Sequence, residues 1–144
     1  QELGDRRLAG QALDCLGSAH GFLDQYQRAI EYHEQALVIA QEIGDKILRG
    51  AALIHLGHVY NLLGQYPKAI ECYEQALVIA REFGDRRGEA YTHYSLGLIQ
   101  EEVGQADQAV REFQEALTLY EAVELDQNAQ AVREHLRELG HTVD

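Results

Sequence analysis

The chain contains no methionine, no tryptophan and a single proline. With so little Pro and so much Ala, Leu, Glu and Gln, helix is favoured along its whole length. Val and Ile are present but do not alternate with polar residues, which argues against strands. The longest apolar runs, Ala36 to Ala40 and Ala76 to Ala80, are far short of the roughly 18 residues a membrane span requires, so no membrane partner is expected. No basic segment followed by an apolar stretch opens the chain, so no signal peptide is visible. The missing initiator Met suggests an excerpt or a processed chain. Basic residues are scarce: 12 Lys and Arg face 24 Asp and Glu, a net charge of -12. That balance excludes nucleic acid as a partner, because phosphates demand a basic surface. It favours neutral or basic protein partners. Only two cysteines occur, Cys15 and Cys72, too few for a disulfide framework. Both are expected as small buried residues with free thiols, in a reducing, cytoplasmic setting.

What the chain does have is a repeat. Residues 4–43 and 44–83 are identical at 22 of 40 positions, and 84–123 forms a third, more diverged copy. Each copy reads as two helices. In the second, Gly44 and Asp45 form a corner, and a first helix is predicted from about Lys46 to Leu63. Gly64 ends that helix, and Pro67 suits the first turn of the next. Tyr66, Ala69, Ile70, Tyr73, Ala76, Leu77 and Ala80 then follow the spacing of one buried helical face. Neither helix can bury its stripe alone, so the copies must stack.

Leu-Gly recurs at Leu16-Gly17, Leu56-Gly57 and Leu96-Gly97, followed in register by Ala29, His33 and Ala36, by Ala69, Tyr73 and Ala76, and by Ala109, Phe113 and Ala116. These motifs resemble the tetratricopeptide repeat family. The copies here have 40 residues rather than the usual 34 or so. This long form resembles the repeats of Pins-type scaffolds and of bacterial multi-repeat proteins. The resemblance implies an all-α fold, a right-handed superhelical solenoid of antiparallel helix pairs. Residues 1–144 would form a single repeat domain, with repeats 4–43, 44–83 and 84–123. Residues 1–3 would be the remnant of a preceding repeat, since Gln1 to Asp5 matches Gln41 to Asp45. A capping helix is expected over about 126–139. Gly17, Gly57 and Gly97 sit inside helices, where Gly costs about 1 kcal/mol, so a close approach to Ala29, Ala69 and Ala109 is expected.

Chemistry is sparsely represented. His55 and His58 lie three apart on one helix, but no third ligand follows at a recognised spacing, so no metal site is expected. His20 and His33 take aromatic positions of the repeat and read as packed. Glu101-Glu102 and Glu112 with Glu115 fall on charged faces, and no Gly-rich phosphate loop is present. The expectation is therefore no enzyme, no catalytic residue and no cofactor. The resemblance instead implies a concave groove lined by the first helices of the copies. Its candidate partner-binding residues are Ile54, His58, Asn61, Leu62, Tyr91, Tyr94, Leu98 and Glu101. An apolar, aromatic patch of this kind commonly marks a binding surface. Asn61 has no matching basic residues beside it, which argues against the family's carboxylate clamp. The function implied is a scaffold that holds a peptide or helix with apolar anchors. The alternative is a structural module that self-associates through its repeat edges, most simply as a homodimer through the N-terminal edge, where Leu8, Ala12 and Ala19 would be partly exposed.

Overall fold

A computed structural model describes residues 1–143. Seven helices make up the fold, with no strand among the described residues: α1 (Glu2–Phe22), α2 (Tyr26–Ile43), α3 (Lys46–Leu62), α4 (Tyr66–Phe83), α5 (Arg86–Glu102), α6 (Ala106–Ala122) and α7 (Asp126–Glu138). None is long and apolar enough to cross a membrane. The corners follow from local chemistry. Gly44 and Gly84 take the left-handed conformation, with φ of 69° and 65°. The carboxylates of Asp45 and Asp85 then cap the next helices, accepting from the backbone N–H of Leu48 at 3.0 Å and of Gly88 at 2.9 Å. α1 runs from Glu2 through Gly4 and Asp5 without a break.

The helices gather into two compact units, Gln1–Ile79 and Ala80 onward, with the division inside α4. Each unit is described by itself. The core of the first unit joins Ala29 and Ile30 of α2, Leu53, Leu56 and Val59 of α3, and Cys72, Ala76 and Ile79 of α4. The core of the second joins Ala90 of α5, Ala109, Phe113, Ala116 and Tyr120 of α6, and Ala129, Val132 and Leu136 of α7. α7 thus packs its apolar stripe against α6.

The mid-helix glycines are explained, but not by the small residues expected opposite them. A Cβ on Gly17, Gly57 or Gly97 would meet the ring of His33 at 2.6 Å, Tyr73 at 3.0 Å or Phe113 at 2.6 Å. Each copy brings an aromatic ring of its second helix against the glycine of its first. Cys72 is buried, and burial, helped by the charges of Glu71 and Glu34, raises its thiol pKa to about 11. Cys15 is exposed, against expectation. It borders an open depression with Arg7, Gln11 and Ile47 rather than the core.

Matched positions of the first and second copies differ in one respect. Leu48, Ala52, Leu56 and Val59 of α3 are buried. Their counterparts on α1 are Leu8, Ala12, Leu16 and Ala19, and all four are exposed, Leu8 at 65% and Leu16 at 44%. α3 has α2 packed against this stripe, whereas α1 is the first helix described.

Candidate functional site

In the first unit, α1, α2 and α3 converge on a polar cluster. Asp14 of α1 is buried, and His33 of α2 is 1% exposed. His33 Nδ1–H donates to Asp14 Oδ1 at 2.7 Å. His55 of α3 donates from Nδ1 to the same carboxylate, at 2.9 Å to Oδ2 and 3.1 Å to Oδ1. A carboxylate only accepts, so both imidazoles carry their proton on Nδ1. Burial alone would raise the Asp14 pKa, but the hydrogen bonds and charges of His33 and His55 outweigh it and hold the pKa at about 2. The His33 and His55 rings lie 5.2 Å apart between centroids.

All three positions depart from the repeat. Forty residues on, Asp14 corresponds to Ile54 and then Tyr94, and His33 to Tyr73 and then Phe113. His55 corresponds to Cys15 and Ser95. An apolar contact between first and second helices, such as the Tyr94–Phe113 ring pair at 5.8 Å, is here replaced by a buried ionic one. Buried ion pairs rarely add net stability over an apolar contact of similar volume. The cluster therefore calls for an explanation beyond packing.

The cluster borders an open cleft of about 480 Å³ on the first unit. Its walls include Gly17, Ser18, Phe22, His55, His58 and Leu62. Phe22 is 89% exposed and Leu62 49%, so two large apolar side chains stand free at its mouth. Burial and the neighbouring His55 lower the pKa of His58, which keeps it neutral near pH 7. Of the groove residues read from sequence, His58 and Leu62 line this cleft. Asn61 is half-buried beyond it, and Ile54 packs against the first core.

The second unit holds the other four. Tyr91 is partly exposed and borders a smaller cleft, of about 300 Å³, with Asp85, Arg87, Tyr120 and Asn128. Tyr94 and Leu98 pack against the second core. His135 of α7 lies edge-on to Tyr94 at 5.7 Å and stacks on Phe113 at 5.2 Å. Glu101 lies 3.4 Å from His135 Nδ1. α7 thus occupies part of the surface that the sequence assigned to a partner. A second buried histidine, His93, sits 2.6 Å from Glu112 through Nδ1, with Arg81 3.3 Å from its Nε2.

Sequence reasoning considered His55 with His58 and found no third ligand. The structure brings His55 to Asp14 and His33 instead, on two other helices, and leaves His58 outside that set. The available signal was the set of three departures from the 40-residue repeat.

Comparison with known proteins agrees with the geometry. The family model described as tetratricopeptide repeat matches residues 8–82 and 48–122. Among solved structures, MamA superposes with a TM-score of 0.68 at 30% identity, over 82% of this chain and 62% of that one. BtubC from P. vanneervenii has a TM-score of 0.79 at 24% identity, over 93% of this chain and 55% of that one. The tetratricopeptide domain of Arabidopsis FLU has a TM-score of 0.77 at 18% identity, over 81% of this chain and 98% of that one. The chain thus spans less than two thirds of MamA and of BtubC. A search of the curated proteins finds no match.

Proposed function

The chain belongs to the tetratricopeptide repeat family, and from that premise we propose that it is a non-enzymatic scaffold whose first unit grips a peptide or helix of a protein partner. The observation that carries this reading is the open cleft with Phe22 and Leu62 free at its mouth. Exposed apolar side chains rimming a cleft are what an amphipathic segment needs for its anchors. His58 and Asn61 supply polar contacts beside them, and Ile54 supports them from the core. On the second unit, Tyr91 is the accessible contact, with Tyr94, Leu98 and Glu101 behind it. The net charge of -12 favours a segment with basic flanks. The free thiols of Cys15 and Cys72 accord with a cytoplasmic setting.

Selection of random displayed peptides on the immobilised chain tests this reading. Enriched peptides should carry apolar anchors flanked by Lys or Arg. The double variant Phe22→Asp, Leu62→Asp should keep its helical circular dichroism and lose about thirtyfold in affinity, the scale of a removed anchor. No enrichment, or binding indifferent to that variant, would refute it.

A second reading has its own observation. The exposed stripe Leu8, Ala12, Leu16 and Ala19 matches a stripe that is buried in α3. It favours a structural module that pairs through α1, most simply as a symmetric homodimer. Sedimentation at high micromolar concentration should show dimer that Leu8→Lys with Leu16→Lys dissolves. A wild-type chain that stays monomeric there removes this reading.

A further inference from the structure

We propose that Asp14, His33 and His55 form a binding site for a divalent transition metal of the zinc type. The proposal concerns the floor of the cleft and does not depend on a peptide occupying its mouth.

The ligand atoms are in place. One oxygen of Asp14 and one ring nitrogen of each histidine all lie within 4.8 Å of one another. Asp14 Oδ1 lies 2.7 Å from Nδ1 of His33 and 3.1 Å from Nδ1 of His55. Tetrahedral zinc bonded to N and O at about 2.0–2.1 Å holds its ligand atoms about 3.3 Å apart. The Asp14–histidine distances therefore need to widen by roughly half an ångström or less, within the reach of side-chain rotation. In the metal-free geometry the two N–H donors point where the metal would sit. On binding, each ring loses its proton from Nδ1 and presents a lone pair there, while the Asp14 carboxylate turns from acceptor to ligand.

The setting selects the metal. Two imidazoles and one carboxylate suit zinc and its first-row neighbours, whereas calcium and magnesium prefer oxygen ligands throughout. Asp14 and His33 are buried and fixed by packing on α1 and α2, which gives two pre-organised ligands. His55 is less buried, with 43% of its side chain exposed, and both histidines border the cleft. An ion thus has a route in, and a coordination position on the cleft side for water or a donor from a bound molecule. The replacement of apolar repeat residues by all this chemistry then has a reason, since a ligand site tolerates the loss of an apolar contact.

The other candidate cluster, Glu101, His135 and Glu138 of the second unit, is looser. Its contacts are 3.4 and 3.9 Å, and Glu138 is exposed. It serves as an internal comparison.

The test is titration of the tag-free, chelator-stripped chain with zinc chloride in a calorimeter, and with cobalt chloride read by visible absorption. We expect one ion per chain at micromolar affinity or tighter, a tetrahedral cobalt spectrum, and no comparable heat from magnesium. His55→Ala, at a half-exposed position, should fold and bind at least about tenfold more weakly. His33→Gln should do the same, and at equal concentration zinc should raise the melting temperature of the wild type more than that of either variant. His135→Ala and His141→Ala should bind as the wild type does. Absence of a one-to-one site, an affinity unchanged in His55→Ala, or a loss confined to His135→Ala would overturn the proposal.

Discussion

Replacing Asp14 and His33 together should cost far less than the two single replacements would suggest. Asp14→Ile installs the residue found at position 54, and His33→Phe that found at 113. Alone, Asp14→Ile strands the Nδ1–H of a histidine that is 1% exposed, a loss of about 1–3 kcal/mol. His55 is half in water and replaces its lost bond there. Alone, His33→Phe removes a charge-assisted bond of 2.7 Å from a buried carboxylate, at about 1.5–3 kcal/mol. Independent effects would add to roughly 2.5–6 kcal/mol. In the double variant neither partner is left unpaired, and a larger apolar pair, of residue types the other copies place at these positions, takes the place of the ionic one. Such exchanges are often neutral or stabilising. The coupling should therefore reach the upper part of the range of about 0.5–3 kcal/mol seen for contacting residues. Urea denaturation of all four proteins at pH 7, in excess chelator, measures it. If the double variant is destabilised by the sum of the singles, the buried pair is not the unit argued here.

Other perturbations probe separate features. The native pKa of Asp14, about 2, lies below its ordinary value of 3.8, so the stability it confers is full above about pH 4 and is lost as pH falls towards 2. Denaturation midpoints across that window should fall more steeply for the wild type than for the double variant, by about 2 kcal/mol in total. Gly97→Ala should destabilise by about 1–2 kcal/mol in thermal melts, because its Cβ would sit 2.6 Å from the buried Phe113 ring, while Gly57→Ala, with 3.0 Å to Tyr73, should be nearly neutral. Glu124 holds φ at 57° where the matching corners carry Gly44 and Gly84, so Glu124→Gly should raise stability by up to about 1 kcal/mol in urea.

The helices were legible because their signals are local and repeated. Gly44-Asp45 and Gly84-Asp85 mark corners by backbone chemistry alone, and the observed α3 differs from the predicted helix by one residue. The aromatic-on-glycine contacts were only half legible. A glycine inside a helix announces a close approach, but the approaching atom, the ring of His33, Tyr73 or Phe113, depends on side-chain direction rather than spacing. The polar cluster was not legible as a unit. Asp14, His33 and His55 are separated by 19 and 22 residues, on three helices, and match no ligand spacing. The surface role of Tyr94 was obscured for a similar reason. Only the packing of α7 shows that His135 covers that ring.

The high identity of the first two copies creates a difficulty that the cluster addresses. With 22 of 40 positions shared, the apolar stripe of α2 and that of α4 are close to interchangeable. During folding, α1 can dock on its own α2 or on an α4, including that of another molecule, with similar apolar gain. Only the first choice gives Asp14 its partner His33, since α4 presents Tyr73 at that place. A mispaired α1 buries an unpaired carboxylate against a ring, at several kcal/mol. The ionic contact thus penalises the wrong pairing more than it stabilises the right one. The double variant Asp14→Ile, His33→Phe lacks this penalty while keeping its stability. Refolded from urea at equal concentration in excess chelator, it should yield a larger fraction of mispaired dimer than the wild type, measured by size-exclusion chromatography. The fraction should grow with protein concentration during refolding, because the competing α4 comes from a second chain. Equal monomer yields for the two proteins across that concentration range would show that the cluster does not set the register.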